Sequence, residues 1–133
     1  MTEPITRIAA PDGVAPATAY THVVTGRGRF VAVAGQLPLD ENGTLVGPGD
    51  PGAQARQVFE NLRRCLAAAG AGFDDVVRLT FFVTDMAYMP AIRAARAAYI
   101  PDDRLPAASA VQVVALVRPE CLMEIEATAV VAE

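Results

Sequence analysis

The stretch from Asp50 to Gly70 constrains the fold more than any other part of the sequence. Its apolar residues recur at intervals of three and four, the spacing that places side chains on one face of an α-helix. These residues are Ala55, Val58, Phe59, Leu62, Cys65, Leu66 and Ala69. Asp50 followed by Pro51 is typical of a helix start, and Gly70 is the residue type that a left-handed helix end needs. The sequence therefore predicts one amphipathic helix with a single buried face.

Five further segments have the composition and length of strands, and one more has a helical pattern. The predicted strands are Tyr20 to Val24, Phe30 to Ala34, Val76 to Val83, Ala110 to Val117 and Leu122 to Val131, and the second helix is Met89 to Tyr99. Residues 1–16 are predicted to form an arm or a short edge strand. Gly26 to Gly28 would supply a hairpin turn, and Leu37 to Gly52 a loop. The order β, β, α, β, α, β, β is typical of an α+β fold.

The last predicted strand alternates between two kinds of side chain. Apolar residues occupy one face, namely Met123, Ile125, Ala127, Ala129 and Val131. The other face carries Glu124, Glu126 and Thr128. Two helices can cover the apolar face of a mixed sheet. Acids among apolar residues on the opposite face favour a subunit interface that is lined with a functional pocket.

The length of 133 residues predicts one domain spanning residues 1–133. Hydrophobic residues make up 53% of the chain, yet no uncharged run approaches the ~20 residues of a membrane-spanning helix. A small domain with surplus apolar residues commonly hides some of them between subunits. We therefore expect an oligomer and no membrane partner.

Charge and residue types exclude several kinds of chemistry. The net charge of -4 argues against a nucleic-acid partner. All 11 basic residues are arginines, which excludes a Schiff-base lysine. Cys65, Cys121 and the single histidine, His22, match no metal-ligand spacing, so no metal is expected. The N-terminal residues lack a signal-peptide pattern, and the expected location is cytoplasmic.

Several segments, taken in order and spacing, resemble the Rid (YjgF/RidA-like) superfamily. They are Ala34-Gly35-Gln36, the helix from Gln54 to Gly70, Asp74 to Met86, Leu105-Pro106-Ala107 and Met123 to Val130, and they span nearly the whole chain. The resemblance implies a chorismate-mutase-like α+β fold, in which two helices pack on one face of a mixed sheet. It also implies a homotrimer with a central barrel and three clefts between subunits.

In the deaminating branch of this family each cleft binds a small imine or enamine. The protein hydrolyses this compound to a carbonyl compound and ammonia, without metal or cofactor. Matched residue by residue, the resemblance makes Tyr20, Gly35 and Glu124 members of such a cleft. The arginine that holds the substrate carboxylate in the family is absent, because Ala108 stands in its place in Pro106-Ala107-Ala108-Ser109. The cysteine two residues further on is replaced by Ala110.

Glu124 and Tyr20 are the predicted catalytic residues. Glu124 would orient or deprotonate the attacking water, because a partly desolvated carboxylate is a stronger base than a solvated one. The Tyr20 hydroxyl could donate a hydrogen bond to a leaving nitrogen or to bound water. A packing role explains Tyr20 equally well. Glu126 shares the face of Glu124 and is interpreted as an interface or surface acid.

The predicted substrate contacts are Gly35, Arg93, His22, Ala108 and Ser109. Gly35 permits close approach of the backbone to a ligand. His22 shares the predicted strand face of Tyr20, and a structural hydrogen bond is the alternative role for it. Cys121 begins the last strand, but nothing in the sequence lowers the pKa of its thiol.

Loss of the clamp arginine has a chemical consequence. Alanine has no hydrogen-bond donor on its side chain, and an unpaired carboxylate in a partly buried cleft costs several kcal/mol. Either the substrate lacks that carboxylate, or another arginine binds it. Arg93, at a family cleft position on the second helix, is the leading substitute. Arg96 lies three residues further on, and Arg104 is a weaker alternative.

Three functions compete on the sequence alone. The first is a cofactor-free enzyme that hydrolyses an imine or enamine other than 2-aminoacrylate, or performs related tautomer chemistry, on a small molecule. The second is a non-catalytic trimer that binds small ligands, which the missing arginine favours. The third is an endoribonuclease, which the acidic balance and the lone histidine disfavour.

Overall fold

The computed structural model describes residues 4–133. Six strands and two α-helices follow one another along these residues. They are β1 (Ile5–Ile8), β2 (Val23–Gly26), β3 (Arg29–Gln36), α1 (Pro51–Ala68), β4 (Val76–Val83), α2 (Met89–Arg96), β5 (Ala107–Gln112) and β6 (Met123–Val131). The predicted α+β class is confirmed.

Four of the strands form one mixed sheet in the order β3-β6-β4-β5. β6 is antiparallel to both of its neighbours, whereas β4 and β5 are parallel. Both helices pack on one face of this sheet, and α1 contacts α2, β3 and β6. The core lies between the two layers. The opposite face of the sheet stays open in the single chain.

The residues that were predicted to mark the two ends of α1 do so in the structure. The Asp50 carboxylate accepts a hydrogen bond of 3.1 Å from the backbone N–H of Ala53, and Pro51 occupies the first helical position. Gly70 has a φ of 72°, the left-handed conformation that ends many helices. The apolar stripe of this helix lies in the core, although Cys65 at its edge is only half-buried.

α2 is shorter than the predicted helix, which reached Tyr99. The last α-helical residue is Arg96, and the chain continues through tighter turns in which Ala98 and Tyr99 donate to the carbonyls of Ala95 and Arg96. Pro101 prevents the helix from continuing further, because the preceding residue is pushed out of the helical region and the proline has no N–H to donate. Asp85 caps the short turn before α2 by accepting from Ala87 N–H.

Two predictions about the strands were wrong. β5 is Ala107–Gln112 rather than residues 110–117, so its parallel partner β4 pairs with the alanine-rich part and not with the valine-rich part. β2 is Val23–Gly26, and it pairs with β1 in a separate two-stranded sheet. Gly26 to Gly28 therefore does not form a hairpin turn. Gly28 instead lies against the Val131 carbonyl, where a Cβ would stand 2.0 Å from the oxygen.

The alternation along β6 is confirmed. Met123, Ile125, Ala127 and Ala129 are buried beneath the helices, and Val131 at the end is half-buried. The other face carries Glu124, Glu126 and Thr128, and on β3 it exposes Phe30, whose surface is 67% accessible. An exposed phenylalanine on a sheet face that also carries carboxylates is a mixture that favours a subunit interface.

Candidate active site

The open face of the sheet brings Glu124 and Gly35 together. Glu124 lies on β6, and Gly35 lies near the end of the neighbouring strand β3. A Cβ built on Gly35 would stand 2.7 Å from the carboxyl carbon of Glu124 and 3.0 Å from its Oε2. Only glycine therefore leaves room for the Glu124 carboxylate in this position.

A bulge in β3 contributes to this close approach. The register between β3 and β6 shifts between Val33 and Gln36, so that Gly35 falls within the irregular stretch. Bulges re-aim side chains and backbone next to sites. The Gln36 amide donates to the Ala34 carbonyl at 3.0 Å across the same turn of backbone.

Glu124 stands in a less polar setting than the other acid on this face. Across the sheet Glu124 pairs with Phe82 of β4, whereas Glu126 pairs with Thr80. Glu124 is half-buried and Glu126 is exposed. The two acids of this face therefore differ both in burial and in cross-strand partner.

A cavity of about 170 Å³ lies at the opposite edge of the sheet, between the edge strand β5 and α2. Four of the predicted site residues line it, namely Tyr20, Arg93, Ala108 and Ser109. Its remaining walls are Thr18, Ala19, Phe81, Met89, Arg96 and Ala110. A cavity of this size suits a ligand much smaller than a typical drug.

The segment before β2 holds Tyr20 at this cavity. Thr21 is buried, its N–H donates to the Pro106 carbonyl at 3.0 Å, and its hydroxyl donates to the Leu105 carbonyl. Ala19 has a φ of 67°, which is unusual for a residue with a side chain. Such strain persists only where the surrounding contacts fix it, and it often occurs at functional sites.

His22 has a different environment from the one predicted. Tyr20 and His22 precede β2, so they do not share a strand face. Their rings nevertheless meet edge to face, with centroids 5.1 Å apart. The His22 Nε2 lies 2.6 Å from the Ala15 carbonyl oxygen, and the residue does not line the cavity. These contacts support the structural alternative for His22.

The two arginines of α2 differ sharply in burial. Arg93 is exposed at the rim of the cavity, whereas Arg96 is only 7% accessible. The Arg96 Nη1 donates to the carbonyl of Ala19 at 3.0 Å, and Nη2 lies 4.0 Å from the Asp102 carboxylate. Burial lowers the pKa of Arg96 below the usual arginine value, and nearby Asp102 partly offsets this.

Arg104 does not line the cavity. Its guanidinium pairs with the Asp74 carboxylate at 2.9 Å and lies 3.7 Å from Asp103. Ala108 leaves the β5 wall of the cavity without a charged group. Ser109 also lines the cavity, and its hydroxyl accepts a hydrogen bond of 3.0 Å from Arg78 on β4.

The single chain keeps two groups of candidate residues apart. Gly35 and Glu124 do not line the cavity that holds Tyr20 and Arg93. Gly35 borders a larger cavity of about 600 Å³ between the chain after β3 and α1. There the Asn61 amide donates to the carbonyls of Leu37 and Leu39, so it fastens the loop to the helix.

Two further observations concern reactive and metal-binding groups. Cys121 is buried, and burial raises the pKa of its thiol, which disfavours the nucleophilic thiolate. Among residues 4–133 no three His, Cys, Asp or Glu side chains lie close enough to hold a metal ion.

Sequence reasoning missed one cationic residue of this region, Arg78, and did not predict the burial of another, Arg96. Arg78 reaches Ser109 from the neighbouring strand, and Arg96 is buried in the cavity wall. The register of two parallel strands and the burial of a helix side chain both depend on packing between distant segments. The heptad-like spacing of Met89, Ile92 and Arg96 is a signal that could have indicated the inward position of Arg96.

Comparison with known proteins assigns the chain to a family. Residues 10–131 match the family described as Endoribonuclease L-PSP, which includes the Rid and YjgF proteins. The chain belongs to the Rid family. A relative named 3-aminoacrylate deaminase RutC, from Acinetobacter baylyi, is 41% identical over 122 residues, which cover 92% of this chain and 95% of the relative. A RutC family protein from Synechocystis is 37% identical over 87% of this chain and 88% of the relative.

Solved Rid structures have the same fold. YyfB from Yersinia pestis, a Rid protein of unknown function, matches with a TM-score of 0.86 and 38% identity over 97% of this chain and 100% of that one. RidA from an Antarctic Psychrobacter matches with a TM-score of 0.71 and 32% identity over 98% and 100% of the two chains. No helix within residues 4–133 is both long and apolar enough to cross a membrane.

Proposed function

We propose that this Rid protein hydrolyses a small imine or enamine to a carbonyl compound and ammonia, without a cofactor. An enamine first takes a proton on carbon to become an imine. Water then adds to the C=N carbon, and the resulting amino alcohol expels ammonia as the C=O bond forms. The chain has to supply a base for the water and donors for the nitrogen.

The single observation that carries the proposal is the position of Glu124 against Gly35. Glu124 is half-buried beside Phe82 of β4, so its carboxylate stands on the open face of the sheet, where it could accept a proton from water. Gly35 leaves room for this carboxyl group against the backbone of β3, and the contact determines where β6 presents the acid. Glu126, exposed two residues away, does not share these features.

The other proposed contacts come from the 170 Å³ cavity. Tyr20 and Ser109 offer hydroxyl groups that can donate to a substrate nitrogen or to water. Arg93 at the rim offers a cation, and Ala108 leaves space on the β5 wall. His22 acts indirectly, because its ring supports the Tyr20 ring while its Nε2 contacts Ala15.

A cleft between subunits would unite the two groups of residues. Glu124 and Tyr20 occupy separate regions of one chain, and the open sheet face between them exposes Phe30 and Val111. Burial of these side chains against a second and third copy would remove apolar surface from water. We therefore propose a homotrimer in which Glu124 of one copy faces the Tyr20 cavity of its neighbour.

The name of the relative RutC narrows the substrate class. The compound 3-aminoacrylate is a three-carbon enamine with a carboxylate, and the relative bearing its name is 41% identical to this chain. A substrate of comparable size is consistent with the small cavity. We propose a three- or four-carbon enamine or imine other than 2-aminoacrylate. Ala108 provides no donor at the position where the family binds the α-carboxylate, so a carboxylate on this substrate has to be bound elsewhere in the cavity.

Ligand binding without turnover is the second candidate. Ala108 and Ala110 replace a cationic and a thiol side chain of the deaminating branch, so these two positions of the β5 wall carry no reactive group. Such a trimer would be protected from thermal unfolding by ligands that it does not consume. An endoribonuclease activity is not proposed, because the net charge is -4 and the single histidine contacts a backbone carbonyl.

The test is ammonia release from two panels of substrates. One panel contains carboxylated imines made in situ by an amino-acid oxidase, together with 3-aminoacrylate, and the other contains imines of simple amines. Release from either panel, above the rate with heat-unfolded protein, supports the hydrolase. Silence on both panels from a folded trimer would contradict it and favour the binding function.

A further inference from the structure

The Tyr20 cavity has an unusual charge balance. Two guanidinium groups, those of Arg93 and Arg96, line it, and none of the other lining residues that the structure describes is acidic. The acid nearest to Arg96 is Asp102, at 4.0 Å, and its side chain is 90% exposed to solvent. A carboxylate that faces water is screened and compensates a buried cation poorly.

Arg96 also retains unused hydrogen-bonding capacity. Its guanidinium has five N–H donors, and Nη1 uses one of them on the Ala19 carbonyl. Its Nε is buried and has no acceptor within residues 4–133. Buried donors without partners are costly, and at native sites they often indicate a missing ligand or water.

The surroundings of Arg96 hold it in place. The carbonyl that it contacts belongs to Ala19, the residue with the strained φ, and the next residues are Tyr20 and the anchored Thr21. The guanidinium therefore lies on a fixed support beside the tyrosine, with little side-chain entropy left to lose on binding. Arg93 lacks this support because it is exposed.

We propose that Arg96 is the anion-binding residue of this cavity and holds the carboxylate of a small substrate, with Arg93 as an outer, weaker contact. The inference rests on the proposed function for the identity of the substrate, but the subsite itself depends only on the cavity. It assigns a carboxylated three- or four-carbon compound as the ligand. A desolvated guanidinium binds a carboxylate more strongly than an exposed one, since solvent competes less.

The experiment compares two probes of equal size that differ in charge, propanoate and propanamide, by NMR titration of the whole protein. Wild-type protein should bind propanoate roughly tenfold more tightly than propanamide, the gain typical of one charge-assisted contact. Arg96→Gln should abolish this preference, and Arg93→Gln should reduce it only partly. Arg56→Gln, an exposed arginine of α1 outside the cavity, is the matched control and should bind as wild type does.

Because Arg96 is buried, its replacement can disturb folding as well as binding. A second variant therefore tests the cavity without changing either arginine. Ala108→Leu leaves both arginines in place and fills the cavity, and it should lose propanoate binding. Three results would each overturn the assignment. The first is equal binding of the two probes by the wild type, and the second is undiminished propanoate binding by Ala108→Leu. The third is loss of the preference for propanoate in Arg93→Gln but not in a folded Arg96→Gln.

Ammonia release, measured on the same samples, separates this inference from the proposed function. A protein that releases ammonia but does not prefer propanoate refutes the anion subsite alone. A protein that prefers propanoate but releases no ammonia from any substrate refutes the hydrolase alone.

Discussion

The Glu124 carboxyl group lies directly over Gly35, and a side chain at position 35 would stand 2.7 Å from its carbon. Real Cβ atoms do not approach a neighbour so closely, so the two residues depend on each other. Glu124 needs the absence of a side chain on β3, and the bulge in β3 supplies a glycine at the place where β6 presents the acid. The relationship ties a backbone feature to the position of a proposed catalytic base.

Gly35→Ala should lower the rate of ammonia release far more than it lowers the stability of the fold. The alanine Cβ would displace the end of the flexible Glu124 side chain, so the free energy of unfolding should fall by about 1 kcal/mol or less. A base displaced by about 1 Å can lose roughly a hundredfold in rate. Ammonia release and urea unfolding of the same variant would measure both effects.

Gly72→Ala is the matched control for this variant, because nothing lies within 4 Å of a Cβ at Gly72 and its φ is not positive. It should keep both the stability and the rate of the wild type. Full activity in Gly35→Ala would contradict the proposed arrangement of Glu124.

Gln54→Leu should destabilise the fold strongly although the two side chains are similar in size. Gln54 is fully buried, and its amide donates to the carbonyl of Gly47 while its carbonyl accepts from Leu122 N–H at 2.9 Å. Leucine would leave these backbone groups buried without partners, at a cost of about 2–4 kcal/mol. Urea unfolding at a fixed protein concentration measures the change.

Gln57→Leu on the same helix serves as a comparison for this effect. Gln57 is half-buried and its amide contacts only the Asn61 side chain among the described hydrogen bonds. Its loss should cost less than about 1 kcal/mol. Equal costs for the two variants would show that the buried network of Gln54 is not the cause.

Because of Glu60, the free energy of unfolding should depend on pH in the acidic range. Hydrogen bonds from Arg63 and then from Arg64 lower the pKa of Glu60 from about 4.5 to about 2, and the Tyr99 hydroxyl also donates to it at 3.2 Å. A lowered pKa in the folded state stabilises the fold above the ordinary pKa, and this contribution disappears as the pH falls toward about 2. Because solvent reaches these groups, the effect should be modest.

The measurement for Glu60 is urea unfolding of wild-type protein and Glu60→Gln between pH 7 and pH 3. The wild type should be the more stable at pH 7, and the difference should shrink steadily below pH 5. A difference that stayed constant over this range would contradict the linkage.

Local signals in the sequence predicted part of the fold well. Asp50, Pro51 and Gly70 mark the ends of α1 because capping depends on a few neighbouring residues. The alternation along β6 predicted which side chains the helices cover, because the period of a strand fixes the face of each residue. The same alternation indicated that Glu124 occupies the face opposite the core.

Features that depend on distant contacts were less predictable. The valines after Gln112 have high strand propensity, yet β5 ends there because its partner β4 ends at Val83. The strained turn at Ala19 and the burial of Arg96 arise from packing of the segment before β2 on α2. At the sequence level the family position of Arg93 made it the leading substitute for the clamp, whereas burial in the structure favours Arg96.

We propose that the Glu124 carboxylate acts as the base in the hydrolysis, and a comparison of two variants tests this role. Glu124→Gln keeps the shape of the side chain over Gly35 but removes the base, and Glu126→Gln changes the exposed acid two residues away. Ammonia release should fall by about a hundredfold or more in Glu124→Gln, with the assembly state unchanged by sedimentation. Glu126→Gln should release ammonia at nearly the wild-type rate. Wild-type turnover by Glu124→Gln would contradict a catalytic role for Glu124.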